Sequence, residues 1–237
     1  MPAEVFADDP GRVLAVYAHP DDPDVSCGGT LAAWAHHGAE VHVVICTTGD
    51  KGTTDPDQAP AALAELRRAE AAAAAAVLGV TKQYALGLAD GELNDDVALR
   101  AQLVSLIRTI KPDTVLCPDP TAVFFGQDYF NHRDHRMIGF AVLDAMAPAA
   151  ALPHYFPEAG PAHRVDTALL SGTLEADVWV DITATIDDKV AAVACHRSQF
   201  AGDGDWAGRA VRLRAEEDGR RVGLAYAEGF RRLRLGG

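Results

Sequence analysis

Two short stretches hold most of the residues that could do chemistry. The first is Ala18-His19-Pro20-Asp21-Asp22, which follows the apolar run Val13-Leu14-Ala15-Val16-Tyr17 and precedes Cys27-Gly28-Gly29. His19 and Asp22 offer a nitrogen and an oxygen donor suited to a zinc-type cation, and Asp21 is left beside them as a base. The second is Asn131-His132-Arg133-Asp134-His135, more than a hundred residues downstream. Three-ligand catalytic zinc sites often take a close pair from one segment and the third ligand from another, so the two stretches together read as a metal centre. Read as polar turns alone, Asp and Pro would need no such explanation.

These residues need elements to position them. The run 13–18 has the length and branching of a buried strand, which Pro20 ends because it lacks a donor N–H. His19, Asp21 and Asp22 are thereby released at a strand's carboxyl end, where open α/β sheets bind ligands. The glycine pair reads as a tight turn into a short helix over 30–38, followed by a second strand over 41–46. Further on, the pattern predicts an Ala-rich helix over 61–78 and a strand over 83–86. A core-packed helix over 95–110 and a strand over 114–117 follow. Residues 121–131 read as a loop whose Phe124, Phe125, Tyr129 and Phe130 form a pocket wall or pack on the body. Asn131 or Asp134 is expected to cap a helix running to Met146. Strands over 167–170 and 178–182, a helix over 183–199 and a helical tail over 207–234 complete the chain. The order β-α-β-α-β-α-β-α predicts one α/β domain over 1–237, Rossmann-like, three-layer α/β/α with a mostly parallel sheet.

Composition narrows the function. A formal charge of −13 over 237 residues argues against nucleic acid as a partner, because phosphate binding needs clustered Lys and Arg. No stretch is long and apolar enough for membrane insertion, and residues 1–12 lack the apolar core of a secretory signal. Cys27, Cys46, Cys117 and Cys195 are too scattered for a zinc knuckle or a disulfide framework, which suits a reducing cytoplasm. The stretch after the first strand lacks Gly-x-Gly-x-x-Gly, and its two carboxylates would repel a pyrophosphate, which excludes a dinucleotide site.

Taken together, Ala18-His19-Pro20-Asp21-Asp22 with Gly28-Gly29-Thr30 resembles the amino-terminal motif of the LmbE-like, or PIG-L, superfamily of zinc-dependent N-acetyl deacetylases. Thr48-Gly49-Asp50, Arg67-x-x-Glu70, Leu78-Gly79-Val80, Asp90-Gly91, His132-x-x-His135, and Lys189 followed by His196-x-Ser198-Gln199 are similar to further family positions in the same order. The resemblance implies that His19, Asp22 and His135 hold Zn2+ or another divalent transition metal, and that Asp21 activates the attacking water. It also implies that His132, oriented by Asp134, acts on the tetrahedral intermediate or the leaving amine. The substrates it implies are small amino sugars or glycosides carrying an N-acetylglucosamine group; it leaves a homo-oligomer open.

Other residues carry softer expectations. Arg67 would clamp a substrate hydroxyl or phosphate, or form an exposed ion pair with Glu70 three residues on, the preferred reading. Asp90 would reach sugar hydroxyls or only make a turn. Pro23 and Asp24 stand where the family usually has an acidic residue directly after Asp-Asp, so Asp24 is the candidate to replace it. Phe130 stands where some members have an aromatic hydroxyl, and Tyr129 is its neighbour. Rival readings are a non-catalytic carbohydrate-binding relative, which would have lost a ligand or Asp21, and a metal hydrolase of another amide or ester. Acetate release against phosphate release separates the latter when the ester is a phosphoester.

Overall fold

The computed structural model describes residues 4–200 and 205–236; residues 1–3 of the amino-terminal stretch read above lie outside them. Its centre is the strand β2 (Arg12–Tyr17), which follows the two-residue strand β1 (Glu4–Val5). Side chains alternate across a strand, and in β2 both faces are apolar. Leu14 and Val16 enter one core with Leu99, Leu103, Ile107, Ile138 and Val142. Val13, Ala15 and Tyr17 enter the other with Leu31, Trp34, Ala74, Ile186 and Ala215. A strand buried on both sides is what a parallel sheet between two helical layers requires, and the three-layer expectation holds.

The remaining elements are α1 (Asp22–His36), β3 (Glu40–Thr47), α2 (Pro60–Val77), β4 (Lys82–Leu88), α3 (Val97–Ile110) and β5 (Thr114–Pro118). They are followed by β6 (Phe124–Phe125), β7 (Tyr129–Phe130), α4 (Arg133–Asp144), β8 (Thr167–Ser171) and β9 (Val178–Asp181). The chain closes with α5 (Ile186–Val193), α6 (Arg197–Phe200), α7 (Trp206–Val222) and β10 (Ala227–Arg234). Eight strands form one sheet in the order β1-β9-β10-β8-β5-β2-β3-β4. All neighbours are parallel except β10, which runs antiparallel to both β8 and β9. The chain winds outward from β2 through β3 to β4, then returns to place β5 on the other side of β2. The β2/β5 gap is therefore the topological switch point, the crevice where such sheets bind ligands. The loop after β2 carries His19–Asp22, and the segment after β5 leads into α4 with His132 and His135, so both clusters open onto that crevice.

Four sequence expectations change. The first helix starts at Asp22, eight residues earlier than its pattern suggests, and kinks at Cys27 (φ −145°, ψ 19°). The glycine pair lies inside it: a Cβ at Gly29 would sit 2.6 Å from Ile182 Cδ1, so close packing rather than a turn requires the glycine. Residues 121–131 contain a small hairpin, β6 against β7. The helix expected over 183–199 divides into α5 and α6. Finally, the helical tail stops at Gly223, which takes φ 75° as a left-handed cap, and the chain continues as β10.

Candidate metal centre and its surroundings

His19 leaves the end of β2, and Asp22 opens α1 three residues later. The His19 amide donates to Asp22 Oδ2 at 2.7 Å, which folds the short connection back and turns the carboxylate beside its own imidazole. His135 arrives from the first turn of α4. His19 Nδ1 lies 3.1 Å from Asp22 Oδ2 and 3.1 Å from His135 Nε2, and His135 Nε2 lies 3.1 Å from Asp22 Oδ1. The two imidazole nitrogens lie 3.1 Å apart and each lies 3.1 Å from one oxygen of the Asp22 carboxylate, a spacing close to the roughly 3.3 Å edge of a tetrahedron around a zinc-sized ion with 2.0–2.1 Å bonds.

The outward nitrogens are held as such a site needs. His19 Nε2 faces Asp90 Oδ1 at 3.1 Å and Asp134 Oδ2 at 3.6 Å. His135 Nδ1 faces Asn131 Oδ1 at 2.9 Å. An acceptor behind each ring fixes the tautomer that turns a lone pair inward and raises its basicity. Two looser groupings, His19 with His132 and His135, and His19 with Asp90 and Asp134, also keep their donor atoms within 4.8 Å. The first shares the His19–His135 pair and puts His132 in place of Asp22, and the second gathers on the outward Nε2 of His19.

Burial presses His19 down, but Asp22 and hydrogen bonds to Asp134, Asp22 and Asp90 outweigh it and carry its pKa up to about 12. Burial likewise opposes His135, which Asp22 nonetheless raises. Burial also works against Asp22 ionisation, yet His135 and His19 hold its carboxyl well below the ordinary range.

Asp21 occupies the N-cap position of α1 but caps nothing; its Oδ1 accepts from Arg67 Nη2 at 2.8 Å. The exposed Arg67–Glu70 pair is corrected here. Arg67 is buried, and Glu70, also buried, accepts from the Ser198 amide and hydroxyl at 2.8 and 2.6 Å. The i, i+3 spacing suits an exposed pair, but Arg67 is taken by Asp21 and the Gly49 carbonyl, and Glu70 by Ser198 of α6.

Neither Asn131 nor Asp134 caps α4. That place falls to His132, whose Nδ1 accepts from the Asp134 amide at 3.3 Å. The Asp134 carboxylate instead accepts from Gly91 N at 2.7 Å and Leu93 N at 3.2 Å. His132 is thus oriented by the backbone of Asp134 and not by its carboxylate. Burial and the neighbouring His19 lower the His132 pKa.

Asp90 lines the cleft with Lys51 and His132, although its Oδ1 is committed to His19. Asp24 is buried, with its carboxylate 2.7 Å from His196 Nε2. Tyr129 lines a cavity of about 380 Å³ with Tyr17, Asp21, Asp22, Phe125 and His135. A second cavity of about 390 Å³, lined also by His19, shares Asp21, Asp22 and His135 with the first, so the donor cluster lies where the two meet. Sequence reasoning missed Asn131 as a partner of His135. The only signal was its i, i−4 spacing on the approach to the helix.

Residues 14–146 match the family described as PIG-L, GlcNAc-PI de-N-acetylase. The chain belongs to the PIG-L family. Among PIG-L relatives it is 34% identical over 226 residues to diacetylchitobiose deacetylase of Thermococcus kodakarensis, covering 93% of this chain and 82% of that one. It is 31% identical to 1D-myo-inositol 2-acetamido-2-deoxy-alpha-D-glucopyranoside deacetylase 2 of Saccharopolyspora erythraea, covering 81% and 85% respectively. In structure it superposes on N,N'-diacetylchitobiose deacetylase of Pyrococcus horikoshii with a TM-score of 0.86, 33% identity, and coverage of 95% and 85%. Among the described residues no helix is long and apolar enough to cross a membrane.

Proposed function

We infer that this PIG-L protein is a zinc-dependent N-deacetylase that hydrolyses the acetamide of an N-acetylglucosamine-type glycoside in the cytoplasm. The observation that carries this reading is the convergence of His19 Nδ1, His135 Nε2 and the Asp22 carboxylate, the nitrogens 3.1 Å apart and each 3.1 Å from a carboxylate oxygen, with Asp21 and His132 on the same cleft. The named deacetylases among its relatives support the substrate class.

His19 Nδ1, Asp22 and His135 Nε2 would hold the ion, two neutral imidazoles and one carboxylate leaving net positive charge on the site. When bound, zinc supplies Lewis acidity toward the acetamide carbonyl and the attacking water, bringing that water's pKa to roughly 7. Asp21 takes the proton of the water through the carboxylate oxygen that Arg67 does not hold. His132 keeps Nδ1 as an acceptor for the Asp134 amide, so its proton resides on Nε2. A neutral imidazole with Nε2–H donates a hydrogen bond to the oxygen that gains charge as the carbonyl becomes tetrahedral and keeps its proton, while Asp21 passes the proton it took from the water to the departing amine. Each acid–base contribution of this kind is typically worth about 10²–10⁴-fold. Asp90, which lines the cleft beside His19, and Tyr129, which lines the adjoining cavity, would meet the sugar.

Screening N-acetylglucosaminides for free amine and acetate tests the reading. Acetate release by the wild type, lost in Asp21→Asn with metal content unchanged, is expected. Phosphate release from phosphoesters with no acetate from any acetamide would overturn it.

A further inference from the structure

We propose that Arg214 is a specificity-determining residue, which receives an anionic group, carboxylate or phosphate, on the aglycone of the N-acetylglucosaminide. The proposal rests on the deacetylase reading above and adds to it what the rest of the substrate carries.

The space beside the donor cluster is too large for an acetamide alone. The cavity of about 380 Å³ that has Asp22 and His135 in its lining is also lined by Phe125, Tyr129 and Arg214 of α7. A third cavity, of about 230 Å³, shares Val25, Ser26, Gly172 and Arg214 with it, so Arg214 stands where these two meet. An acetyl group fills a small part of such a space, whereas cavities of roughly 300–1,000 Å³ hold whole small molecules. With the amino sugar between Asp90 and Tyr129, as proposed above, the remaining space towards α7 belongs to the group attached to it. Phe125, whose ring centroid lies 5.7 Å from that of Tyr129 across the hairpin, extends the apolar wall available to that group.

Charge is what marks Arg214 within this space. The carboxylates that line the two cavities are those of Asp21, Asp22, Asp218 and Glu228, and each already faces another group. Asp21 accepts from Arg67 at 2.8 Å, and Asp22 lies 3.1 Å from both His19 and His135. Glu228 is paired with the buried Lys189 and accepts from the Gly29 and Thr30 amides at 3.1 and 2.8 Å. Lys189 also donates to the Val25 carbonyl at 2.7 Å, and Asp218 faces Arg221 Nε at 3.9 Å. On α7 itself, Arg212 is held by Asp187 and Arg220 by Glu216. Arg214 is exposed and has no carboxylate within ion-pair distance among the described residues. A guanidinium stays charged at any pH the enzyme meets, and its planar fork matches a carboxylate or a phosphate in two parallel bonds. A neutral hydroxyl would use one donor and gain little from the charge.

Kinetics on metal-loaded protein test this with N-acetylglucosaminides that differ only in the aglycone: a methyl group, a second neutral sugar, a carboxylate-bearing group and a phosphate-bearing group. The proteins are wild type, Arg214→Gln, Arg214→Lys and, as control, Arg209→Gln, an exposed arginine of the same helix outside both linings. Wild type is expected to prefer an anionic aglycone over both neutral ones by roughly 10- to 100-fold in kcat/KM, the larger gain identifying carboxylate or phosphate. Arg214→Gln is expected to lose that preference as a rise in KM for the anionic substrates, Arg214→Lys to keep part of it and Arg209→Gln all of it. Added salt should shrink the wild-type preference, because the contact is open to solvent. No preference in wild type, or an equal preference in wild type and folded Arg214→Gln, would overturn the role of Arg214 and leave the deacetylase standing. Acetate from none of the glycosides would instead overturn the proposed function, and this inference with it.

Discussion

Asn131 offers a quantitative check on the proposed metal centre, because it holds His135 from behind. Its Oδ1 is the acceptor for His135 Nδ1 at 2.9 Å, and its Nδ2 donates to the Ala122 carbonyl at 3.0 Å. Asn131→Ala frees His135 to turn and lowers the basicity of Nε2. Removing such an outer partner typically costs 10- to 100-fold in metal affinity, about 1.4–2.7 kcal/mol. His19 is supported twice, by Asp90 at 3.1 Å and by Asp134 at 3.6 Å, so Asp90→Ala leaves a second acceptor close by. The expected order is therefore Asn131→Ala weaker than Asp90→Ala, with Asp90→Ala nearer the tenfold end. Stability also falls in Asn131→Ala, by about 1–3 kcal/mol for the stranded Ala122 carbonyl. Competition against a chromophoric zinc chelator, on protein verified as folded, reads both constants. Equal affinities for Asn131→Ala and wild type would refute the reasoning that His135 binds through Nε2.

Three further outcomes follow from the geometry. Protons and metal compete for the same donors, so apparent zinc affinity should rise with pH across the neutral range, with proton release on loading measurable by calorimetry in buffers of different ionisation enthalpy. In chelated protein the sign reverses for stability. The His19 pKa is raised in the fold to about 12, so its contribution is full below roughly 6.5 and is lost as pH rises toward 12; a chelated protein whose stability climbs over that window contradicts the geometry. Arg108 is buried with its guanidinium on six backbone carbonyls, those of Ala149, Ala150, Leu152, Tyr155, Phe156 and Gly160. Arg108→Met should cost about 3–5 kcal/mol by denaturant titration while leaving metal content intact, and a loss below 1 kcal/mol would show that water replaces the cation.

What the sequence made legible was whatever local chemistry determines. The run 13–17 reads as a strand because it is apolar on both faces, and Pro20 marks its end. From that, the position of His19 and Asp22 on the carboxyl edge follows. What stayed hidden depends on contacts between distant segments. Gly28-Gly29 looks like a turn in isolation, and becomes helical because Ile182 leaves no room for a Cβ at Gly29. Arg67 and Glu70 look like a surface pair at helical spacing, and are buried because 49–52 and α6 fold over them. Arg108 gives no signal at all, since its partners are main-chain carbonyls that every residue carries. The tail held a readable sign in Gly223, whose left-handed φ of 75° ends α7, but an amphipathic basic pattern on both sides of it suggested one helix. The strand β10 is revealed only by its pairing with β8 and β9.

In the proposed centre one ion is gripped jointly by the end of β2, the start of α1 and the first turn of α4. Metal content of dialysed protein by mass spectrometry tests it most directly, on wild type, His19→Ala, Asp22→Ala, His135→Ala and Asp21→Asn. One equivalent of metal in the wild type and in Asp21→Asn, with none in the other three folded variants, is the expected result. A full equivalent retained in folded His19→Ala or His135→Ala would contradict the account.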